Sequence, residues 1–155
     1  MGRARATRRQ NILVPESDNH NEQVIAEFRA NKGTVGGDYT DIPLLLLTTT
    51  GTRTGKARTT PLAYVADGER YVVFAAAGGA PRNPAWYHDL LADPDVSVEV
   101  GTEVFAAVAT VTTGEERDSL FERYARLSPT LEFYQARTAR RVPVVALCRR
   151  GAPTA

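Results

Sequence analysis

Positive charge is concentrated in one glycine-bracketed loop of the sequence, "TTTGTRTGKARTTPLAY", which lies between two strand-like stretches. Gly51 and Gly55 bracket the loop, and glycine lets a backbone approach a ligand closely and present its N–H groups. Arg53 and Arg58 each offer a bidentate fork to phosphate or carboxylate, and Lys56 adds a point charge. The pattern predicts an anion-binding turn. A solvated basic hairpin is the alternative, because such residues are common in turns.

The spacing of this loop excludes the nucleotide-binding P-loop that it superficially resembles. Three residues separate Gly51 from Gly55, whereas the P-loop has four between its glycines. Lys56 is followed by Ala57, so the Ser or Thr that would hold magnesium is missing. A strand pattern follows the loop where the P-loop has a helix, and we therefore reject a P-loop nucleotidase.

A second segment, "GGAPRNPAWYHDL", has the residues of a loop that enters a helix. Gly78–Gly79 permits a close backbone approach, and Asn83–Pro84 predicts an N-cap followed by proline at the first helical position. The N-terminus of such a helix favours anions or polar ring atoms. Trp86 and Tyr87 are adjacent and must face different sides. One is expected to pack in the core while the other meets a flat ligand, and burial of both is the alternative.

Side chains that commonly perform catalysis are sparse in this sequence. His88 has no G-x-S-x-G nucleophile elbow to serve, and we interpret it as a partly exposed helix residue. Cys148 lies in an apolar strand-like segment, which favours a buried and unreactive thiol. His20 is the other histidine, so the sequence has no closely spaced Cys/His ligands and predicts no metal site. An enzymatic activity would therefore depend on a bound cofactor.

The overall composition is that of an ordinary globular chain. Its 155 residues are 43% hydrophobic and 24% charged with a net charge of +1, so bulk charge does not favour nucleic-acid or membrane binding. A single cysteine fits a reducing compartment. No apolar run approaches the roughly 20 residues of a spanning helix. We expect a disordered basic arm over residues 1–17 and one domain over residues 18–150.

Hydrophobic periodicity predicts about six strands and three to four helices. Four consecutive leucines, Leu44–Leu47, indicate a strand covered on both faces. Alternation over Arg58–Val65 and the Asp67–Gly68 turn indicate a hairpin with "YVVFAAA" as its return strand. The remaining strands are predicted in "VSVEV", "EVFAAVATV" and "VPVVALC". The helices are predicted from Glu22 to a stop at Asn31–Gly33, in "AWYHDLLAD", in "GEERDSLFERYARL" and in "TLEFYQARTA".

The order of these elements predicts a mainly β (α+β) fold. Short hairpin turns favour antiparallel pairing, and the order lacks the regular strand–helix alternation of a doubly wound sheet. We therefore predict a small antiparallel barrel with helices packed around it, because closure would also remove exposed strand edges.

The two loop segments, in this order, resemble the deazaflavin-dependent nitroreductase family of the flavin/deazaflavin oxidoreductase split-barrel superfamily. The matching stretches cover roughly Val24 to Leu147 and are "VIAEFRANKGTVGG", "PLLLLTTTGTRTGKARTTPLAYV", "DGERYVVFAAAGGAPRNPAWYHDLLADPDVSVEV" and "FYQARTARRVPVVAL". The resemblance implies a split antiparallel β-barrel that uses coenzyme F420, an 8-hydroxy-5-deazaflavin with a phosphate and a polyglutamate tail. It also implies delivery of a hydride from ring C5 of the reduced cofactor to a quinone, an activated enone or a nitroaromatic.

Position by position, the resemblance implies two cofactor-binding regions and one aromatic residue near the substrate. The phosphate and tail side comprises Thr52, Arg53, Thr54, Arg58, Thr59, Thr60, Pro61, Leu62 and Ala63, to which we add the ammonium of Lys56. The ring side comprises Phe74, Ala75, Ala76, Ala77, Gly78, Ala85, Trp86, Tyr87, His88 and Asp89. Tyr134 matches a late aromatic position near the substrate pocket and is the candidate catalytic proton donor, with solvent as the alternative.

Some positions differ from the family pattern on the ring and substrate sides. Ala76–Ala77 stand where a Ser-Lys pair often precedes the two glycines, which removes a hydroxyl and an ammonium. Ala63, Ser128 and Leu131 stand where the nitroimidazole-activating members carry tyrosines. The resemblance therefore implies a roomier or less aromatic pocket, and it leaves nitroimidazole activation open.

The leading hypothesis is an F420-dependent reductase that transfers a hydride to a small organic acceptor. An FMN-dependent oxidoreductase on the same barrel and a non-catalytic deazaflavin carrier are the alternatives. We expect a cytoplasmic protein that contacts a membrane surface transiently when its acceptor is a quinone. A homodimer is left open because related barrels often dimerise, and no nucleic-acid partner is predicted.

Overall fold

The computed structural model describes residues 18–151. The predicted basic arm over residues 1–17 lies outside these residues and stays a prediction. The described residues form four helices, namely α1 (Asp18–Ala30), α2 (Ala85–Ala92), α3 (Gly114–Leu127) and α4 (Pro129–Ala136). Their strands are β1 (Leu44–Thr50), β2 (Ala57–Ala63), β3 (Val65–Asp67), β4 (Arg70–Phe74), β5 (Asp95–Val100), β6 (Glu103–Val111) and β7 (Val144–Arg149). Short 3-10 turns lie at Gly37–Tyr39 and Ala77–Gly79.

The strands form one antiparallel sheet in the order β2-β1-β5-β6-β7-β4-β3. The two edge strands, β2 and β3, are consecutive in the chain and meet at Tyr64. β2 pairs with β1, whereas β3 pairs with β4 at the opposite end of the sheet. The chain therefore joins the two edges, and the sheet curls into a half-barrel. This confirms the predicted split antiparallel barrel.

The strand count exceeds the predicted six because one predicted strand is divided. The predicted strand Arg58–Val65 breaks at Tyr64, whose N–H donates to the carbonyl of Pro43 at 3.2 Å. The ladder with β1 ends there, and the following residues pair with β4 instead. Apolar–polar alternation could not reveal this change, because it reports the face that a side chain occupies and not the neighbouring strand.

The leucine run of β1 separates two hydrophobic cores. Leu45 and Leu47 point into the barrel, where they pack in one cluster with Trp86. Leu44 and Leu46 point outward into a second cluster under the helices, together with buried side chains of α1, α3 and α4. All four leucines are at most 5% exposed, which confirms the prediction of a strand covered on both faces.

The helix ends agree only partly with their predicted positions. α1 begins at Asp18, earlier than the predicted start at Glu22. Its predicted stop is confirmed, because Gly33 adopts φ +96° and donates its N–H to the carbonyl of Phe28 at 2.7 Å. α2 begins at Ala85, as the stretch "AWYHDLLAD" predicts, but Pro84 has extended dihedral angles and takes the N-cap position instead of the first helical position. None of the helices within residues 18–151 is long and apolar enough to cross a membrane.

Candidate functional site

The basic loop between β1 and β2 is closed by its own hydrogen bonds. The N–H of Gly51 donates to the carbonyl of Lys56 at 2.8 Å, and the N–H of Gly55 donates to the carbonyl of Gly51 at 2.9 Å. The Lys56 N–H donates to Thr54 Oγ1 at 3.2 Å. Gly55 has φ +69°, a conformation that favours glycine. The predicted turn is therefore held in a defined conformation by hydrogen bonds of its own residues.

A buried carboxylate anchors this loop to α2. Asp89 is 1% exposed and accepts hydrogen bonds from Thr49 Oγ1 at 2.9 Å and from Arg58 Nε at 2.8 Å. Its other oxygen accepts from the N–H of Thr52 at 3.2 Å. Three donors satisfy the buried charge, as burial of a carboxylate requires. Asp89 was placed on the ring side by resemblance, yet its contacts are with the phosphate-side loop.

The loop keeps unpaired donors on the side away from Asp89. The side chain of Arg58 is 48% exposed, and its Nε alone is used by Asp89. Within residues 18–151, we find no hydrogen-bond partner for the Arg58 Nη atoms or for the N–H groups of Arg53 and Thr54. Arg53 and Lys56 are exposed. These free donors and cations fit the binding of an anion such as a phosphate.

The loop after β4 forms a second set of free backbone donors. Ala76 has φ −77° and ψ −37°, and the next three residues have positive φ, namely Ala77 (49°), Gly78 (65°) and Gly79 (81°). A right-handed residue followed by a left-handed one is the backbone conformation of an anion-binding nest. The N–H groups of Ala76, Ala77 and Gly78 have no partner among the described residues. We call the stretch Ala76–Gly78 the nest.

Gly79 holds the nest against α4 and cannot be replaced by a larger residue without displacement. A Cβ built on Gly79 would lie 2.6 Å from the carbonyl oxygen of Tyr134 and 2.8 Å from Cβ of Arg137. Contacts this short do not occur between real atoms of these types. The second glycine of "GGAP" is therefore explained by packing as well as by its positive φ.

Arg140 binds the same loop and was not identified from the sequence. Its guanidinium donates to the carbonyls of Ala75 (3.0 Å), Ala76 (2.8 Å) and Ala80 (3.0 Å), and to Oδ1 of Asn83 (2.6 Å). The side chain of Asn83 therefore accepts a hydrogen bond from Arg140 and does not cap the N-terminus of α2. The predicted N-cap at Asn83 is wrong. Burial lowers the pKa of Arg140. In the sequence, nothing distinguishes Arg140 from its neighbour Arg141.

The structure divides the sequence-predicted site residues by exposure. Buried residues are Thr60, Pro61, Leu62, Ala63, Phe74, Ala75, Ala76, Trp86 and Asp89. Half-buried ones are Thr59, Ala77, Gly78 and Tyr87, and exposed ones are Thr52, Arg53, Thr54, Lys56, Arg58, Ala85 and His88. The two regions meet at α2, because Asp89 binds the basic loop while Asn83 is tied to the nest loop through Arg140.

The aromatic residues of α2 differ in environment, as adjacent positions on a helix should. Trp86 is 3% exposed in the barrel core, whereas Tyr87 packs only partly against that core. His88 is exposed, and its ring meets Tyr87 edge to face with centroids 5.8 Å apart. Of the two arrangements left open by the sequence, the structure has one aromatic buried and the other half-buried, and His88 is an exposed helix residue.

Tyr134 lies deep in the helix-side core. It is 1% exposed, and its hydroxyl has no hydrogen-bond partner among the described residues. Burial raises the pKa of Tyr134, which keeps the phenol neutral. Tyr134 does not line the open cavity beside Tyr64. The assignment of Tyr134 as proton donor therefore stays a prediction without a supporting contact.

An open cavity of about 560 Å³ lies beside the break between β2 and β3. Its wall is made by three segments, whose lining residues are Asp41, Ile42 and Pro43, then Tyr64, Val65 and Ala66, and finally Tyr124, Leu127, Ser128, Pro129 and Thr130. Ala63 and Leu131 are buried and do not line the cavity. Of the three positions for which the resemblance implies lost tyrosines, Ser128 alone lines it.

The wall of this mainly apolar cavity contains two tyrosines, Tyr64 and Tyr124, beside the polar residues Asp41, Ser128 and Thr130. Neither tyrosine was assigned as a site residue from the sequence. Burial raises the pKa of Tyr64, and it raises the pKa of Tyr124 to about 12. Tyr124 also stacks on Phe74, with ring centroids 4.5 Å apart. Phe74 precedes the nest loop, so Tyr124 connects the cavity wall to the ring side of the candidate site.

The sequence of this chain is similar to a known protein family and to characterised relatives. The family model for F420H(2)-dependent quinone reductase matches residues 21–149. The F420H(2)-dependent quinone reductase Rv1261c of Mycobacterium tuberculosis is 40% identical over 134 residues, which is 81% of this chain and 87% of that protein.

Two solved structures are similar to this chain in both sequence and fold. An F420-H2-dependent reductase, FDR-A, is 37% identical with a TM-score of 0.63 and covers 68% of this chain and 93% of its own. A second structure, described as a domain-swapped dimer, is 33% identical with a TM-score of 0.65 and covers 83% of this chain and 95% of its own. The chain therefore belongs to the F420H(2)-dependent quinone reductase family and is an F420-dependent oxidoreductase.

Proposed function

We propose that this protein reduces a quinone with reduced F420, which it holds between the basic loop and the nest. The observation that carries the proposal is that two neighbouring loops, both tied to α2, each present free backbone N–H groups. When bound, reduced F420 supplies the hydride for the acceptor. The protein binds and orients the two reactants, and orientation alone lowers a bimolecular barrier substantially.

The basic loop fits the charged end of the cofactor. Arg53, Lys56 and Arg58 surround a turn whose N–H groups are free at Arg53 and Thr54. A phosphate offers several acceptor oxygens, so it can use an arginine fork and backbone donors together. Exposure of these side chains leaves room for a longer anionic tail. We therefore assign the phosphate and tail to Thr52–Thr54, Lys56 and the residues of β2 that begin at Arg58.

The nest fits the polar edge of the ring. Successive N–H groups in this backbone conformation form an anion-binding concavity, so those of Ala76, Ala77 and Gly78 can hold a carbonyl oxygen or a developing negative charge. These backbone N–H groups can act as donors in place of the hydroxyl and the ammonium that a Ser-Lys pair would provide at Ala76–Ala77. Tyr87, which is half-buried, can supply aromatic surface in the first turn of α2, whereas Trp86 is buried in the barrel core.

The cavity beside Tyr64 fits the acceptor. Its volume of about 560 Å³ is within the usual range for a small-molecule site. Its apolar wall favours a flat hydrophobic ring, and neutral hydroxyls of Tyr64 and Tyr124 can donate to a quinone oxygen. The final proton comes from solvent or Tyr134. The burial of Tyr134 favours solvent.

A paired binding and turnover experiment tests the proposal. Titration with F420 and with FMN is expected to give tight binding of F420 only. Mixing the protein with reduced F420 and menadione is expected to bleach the absorbance of the reduced cofactor only when both the protein and the acceptor are present. Preference for FMN would favour the FMN oxidoreductase. Tight F420 binding without turnover of menadione or a coumarin would favour the carrier.

Assembly and location are extensions of this proposal. The related structure described as a domain-swapped dimer supports a homodimer, which light scattering on the purified protein would test. A quinone acceptor supports transient contact of a cytoplasmic protein with a membrane surface. Co-sedimentation with vesicles that contain a long-chain quinone, compared with quinone-free vesicles, would test that contact.

A further inference from the structure

The guanidinium of Arg140 spans the loop that contains the nest. Its acceptors lie on both sides of the left-handed residues, with Ala75 and Ala76 before them and Ala80 and Asn83 after them. Four hydrogen bonds at 2.6–3.0 Å use all three nitrogen atoms of the side chain. No other side chain within residues 18–151 bonds this loop at more than one point.

The loop needs such a brace because its backbone conformation is costly. Ala77 has φ +49° although it carries a Cβ, and the left-handed conformation is unfavourable for non-glycine residues because the Cβ lies too close to the following carbonyl oxygen. Gly78 and Gly79 have no side chains that could secure them. Two bonds within the loop, from the N–H of Gly79 to Ala76 and from the N–H of Ala80 to Ala77, hold only a single tight turn.

Arg140 is itself held in place by α3 and α4. Gln135 donates Nε2 to the carbonyl of Arg140 at 2.7 Å and accepts the N–H of Val142 at 2.8 Å. Arg117 donates to the carbonyl of Val142 at 2.7 Å. The segment that carries Arg140 is therefore fixed at Arg140 itself and at Val142, so its backbone holds the guanidinium in position against the loop.

We infer that Arg140 is a positioning residue that holds the nest in the conformation that binds the deazaflavin ring. This inference rests on the proposed function. Because the carbonyls are occupied by the guanidinium, the loop's free N–H groups remain for the ligand. A lysine at this position would offer one nitrogen in place of three and could not join both sides of the loop.

Three variants test the inference. Arg140→Ala removes all four bonds, Arg140→Lys keeps the charge, and Arg141→Ala is the control, because Arg141 is 67% exposed and pairs only with Asp118 among the described residues. Each variant is titrated fluorimetrically with F420 and with the ribityl-deazaflavin ring that lacks phosphate and tail. Hydrogen exchange of residues 76–80 is followed in the cofactor-free protein, together with thermal unfolding.

We expect Arg140→Ala to raise the Kd of both ligands about tenfold and to speed amide exchange over residues 76–80. A tenfold loss corresponds to about 1.4 kcal/mol, the size of one or two hydrogen bonds. Arg140→Lys should give an intermediate Kd, and Arg141→Ala should stay within about twofold of the unmodified protein. If Arg140→Ala does not fold, the lysine variant decides the question.

Two results would overturn the inference. One is an unchanged Kd for the ring fragment in folded Arg140 variants. The other is faster exchange throughout the chain without a selective change over residues 76–80, which would mark Arg140 as a general stabiliser. Failure of the unmodified protein to bind F420 would instead reject the proposed function together with the ring assignment. Exchange in the cofactor-free protein would then still show whether Arg140 braces the loop.

Discussion

At Asp89, one carboxylate receives donors from a threonine side chain, a backbone N–H and an arginine. At Arg140, one guanidinium donates to three carbonyls and an amide oxygen. The two residues have opposite charge and perform the same task for different loops, because each fixes backbone that then presents free N–H groups. The candidate site thus depends on side chains that need not touch the ligand.

Removal of Arg58 should affect both ligand binding and stability. Arg58→Ala deletes a cation from the basic loop and leaves the buried Asp89 with one donor fewer, so we expect about a tenfold rise in the Kd for F420 and a lower Tm. Arg53→Ala should weaken binding without lowering Tm, because Arg53 does not contact Asp89. Arg126→Ala, on the exposed side of α3, is the control. Fluorescence titration and thermal unfolding measure the two effects, and an unchanged Kd in Arg58→Ala would reject the assignment.

Loss of the Tyr134 hydroxyl should stabilise the protein. The hydroxyl is buried without a partner among the described residues, so Tyr134→Phe removes a desolvated polar group and is expected to raise the free energy of unfolding by about 1 kcal/mol. Urea denaturation measures this change. We expect kcat to stay within about twofold if solvent supplies the proton. A fall of kcat by about a hundredfold in a stable variant would identify Tyr134 as the donor.

At the scale of elements, α2 connects the two halves of the candidate site. Its first turn follows Asn83, which belongs to the nest loop, and its second turn carries Asp89, which holds the basic loop. Between them, Trp86 anchors the helix in the barrel core. A shift of α2 would therefore displace both loops together.

A methyl group at Gly79 should disturb the contact between the nest loop and α4. In Gly79→Ala the new Cβ would lie 2.6 Å from the Tyr134 carbonyl oxygen at a φ of +81°, and we expect a loss of about 2–3 kcal/mol. Gly68→Ala is the matched control, since Gly68 has φ +60° but no heavy atom within 4 Å of the added Cβ. It should cost about 1 kcal/mol. Equal losses in chemical denaturation would contradict the steric explanation.

Sequence analysis predicted those parts of the molecule that depend on local patterns. The four leucines of β1, the basic turn and the stop of α1 at Gly33 are all encoded within short windows. Asp89 and Arg140 could not be assigned their roles in this way, because their partners lie 31 to 65 residues away along the chain. The break at Tyr64 was missed because pairing partners are set by the whole sheet.

At the scale of the whole molecule, buried tyrosines should make the fold sensitive to alkali. Burial raises the pKa of Tyr124 from 10.0 to about 12, so the folded state retains a proton that the unfolded state has lost. The associated stability is complete below pH 10 and is lost as the pH rises towards 12, by about 2–3 kcal/mol. Urea denaturation at pH 8, 10 and 11 should show that the free energy of unfolding falls less in Tyr124→Phe than in the unmodified protein. An identical pH slope in both proteins would contradict this prediction.

The extended segment that forms β2 and β3 also fixes the distance between the basic loop and the cavity. β2 runs from the basic loop to Tyr64 on the cavity wall, and the six residue steps from Arg58 to Tyr64 measure about 20 Å at strand geometry. A molecule that is held at its charged end by Arg58 and reacts at the cavity would therefore have to span about 20 Å between these two ends. Shortening that molecule between its charged and reactive ends would leave it unable to reach both.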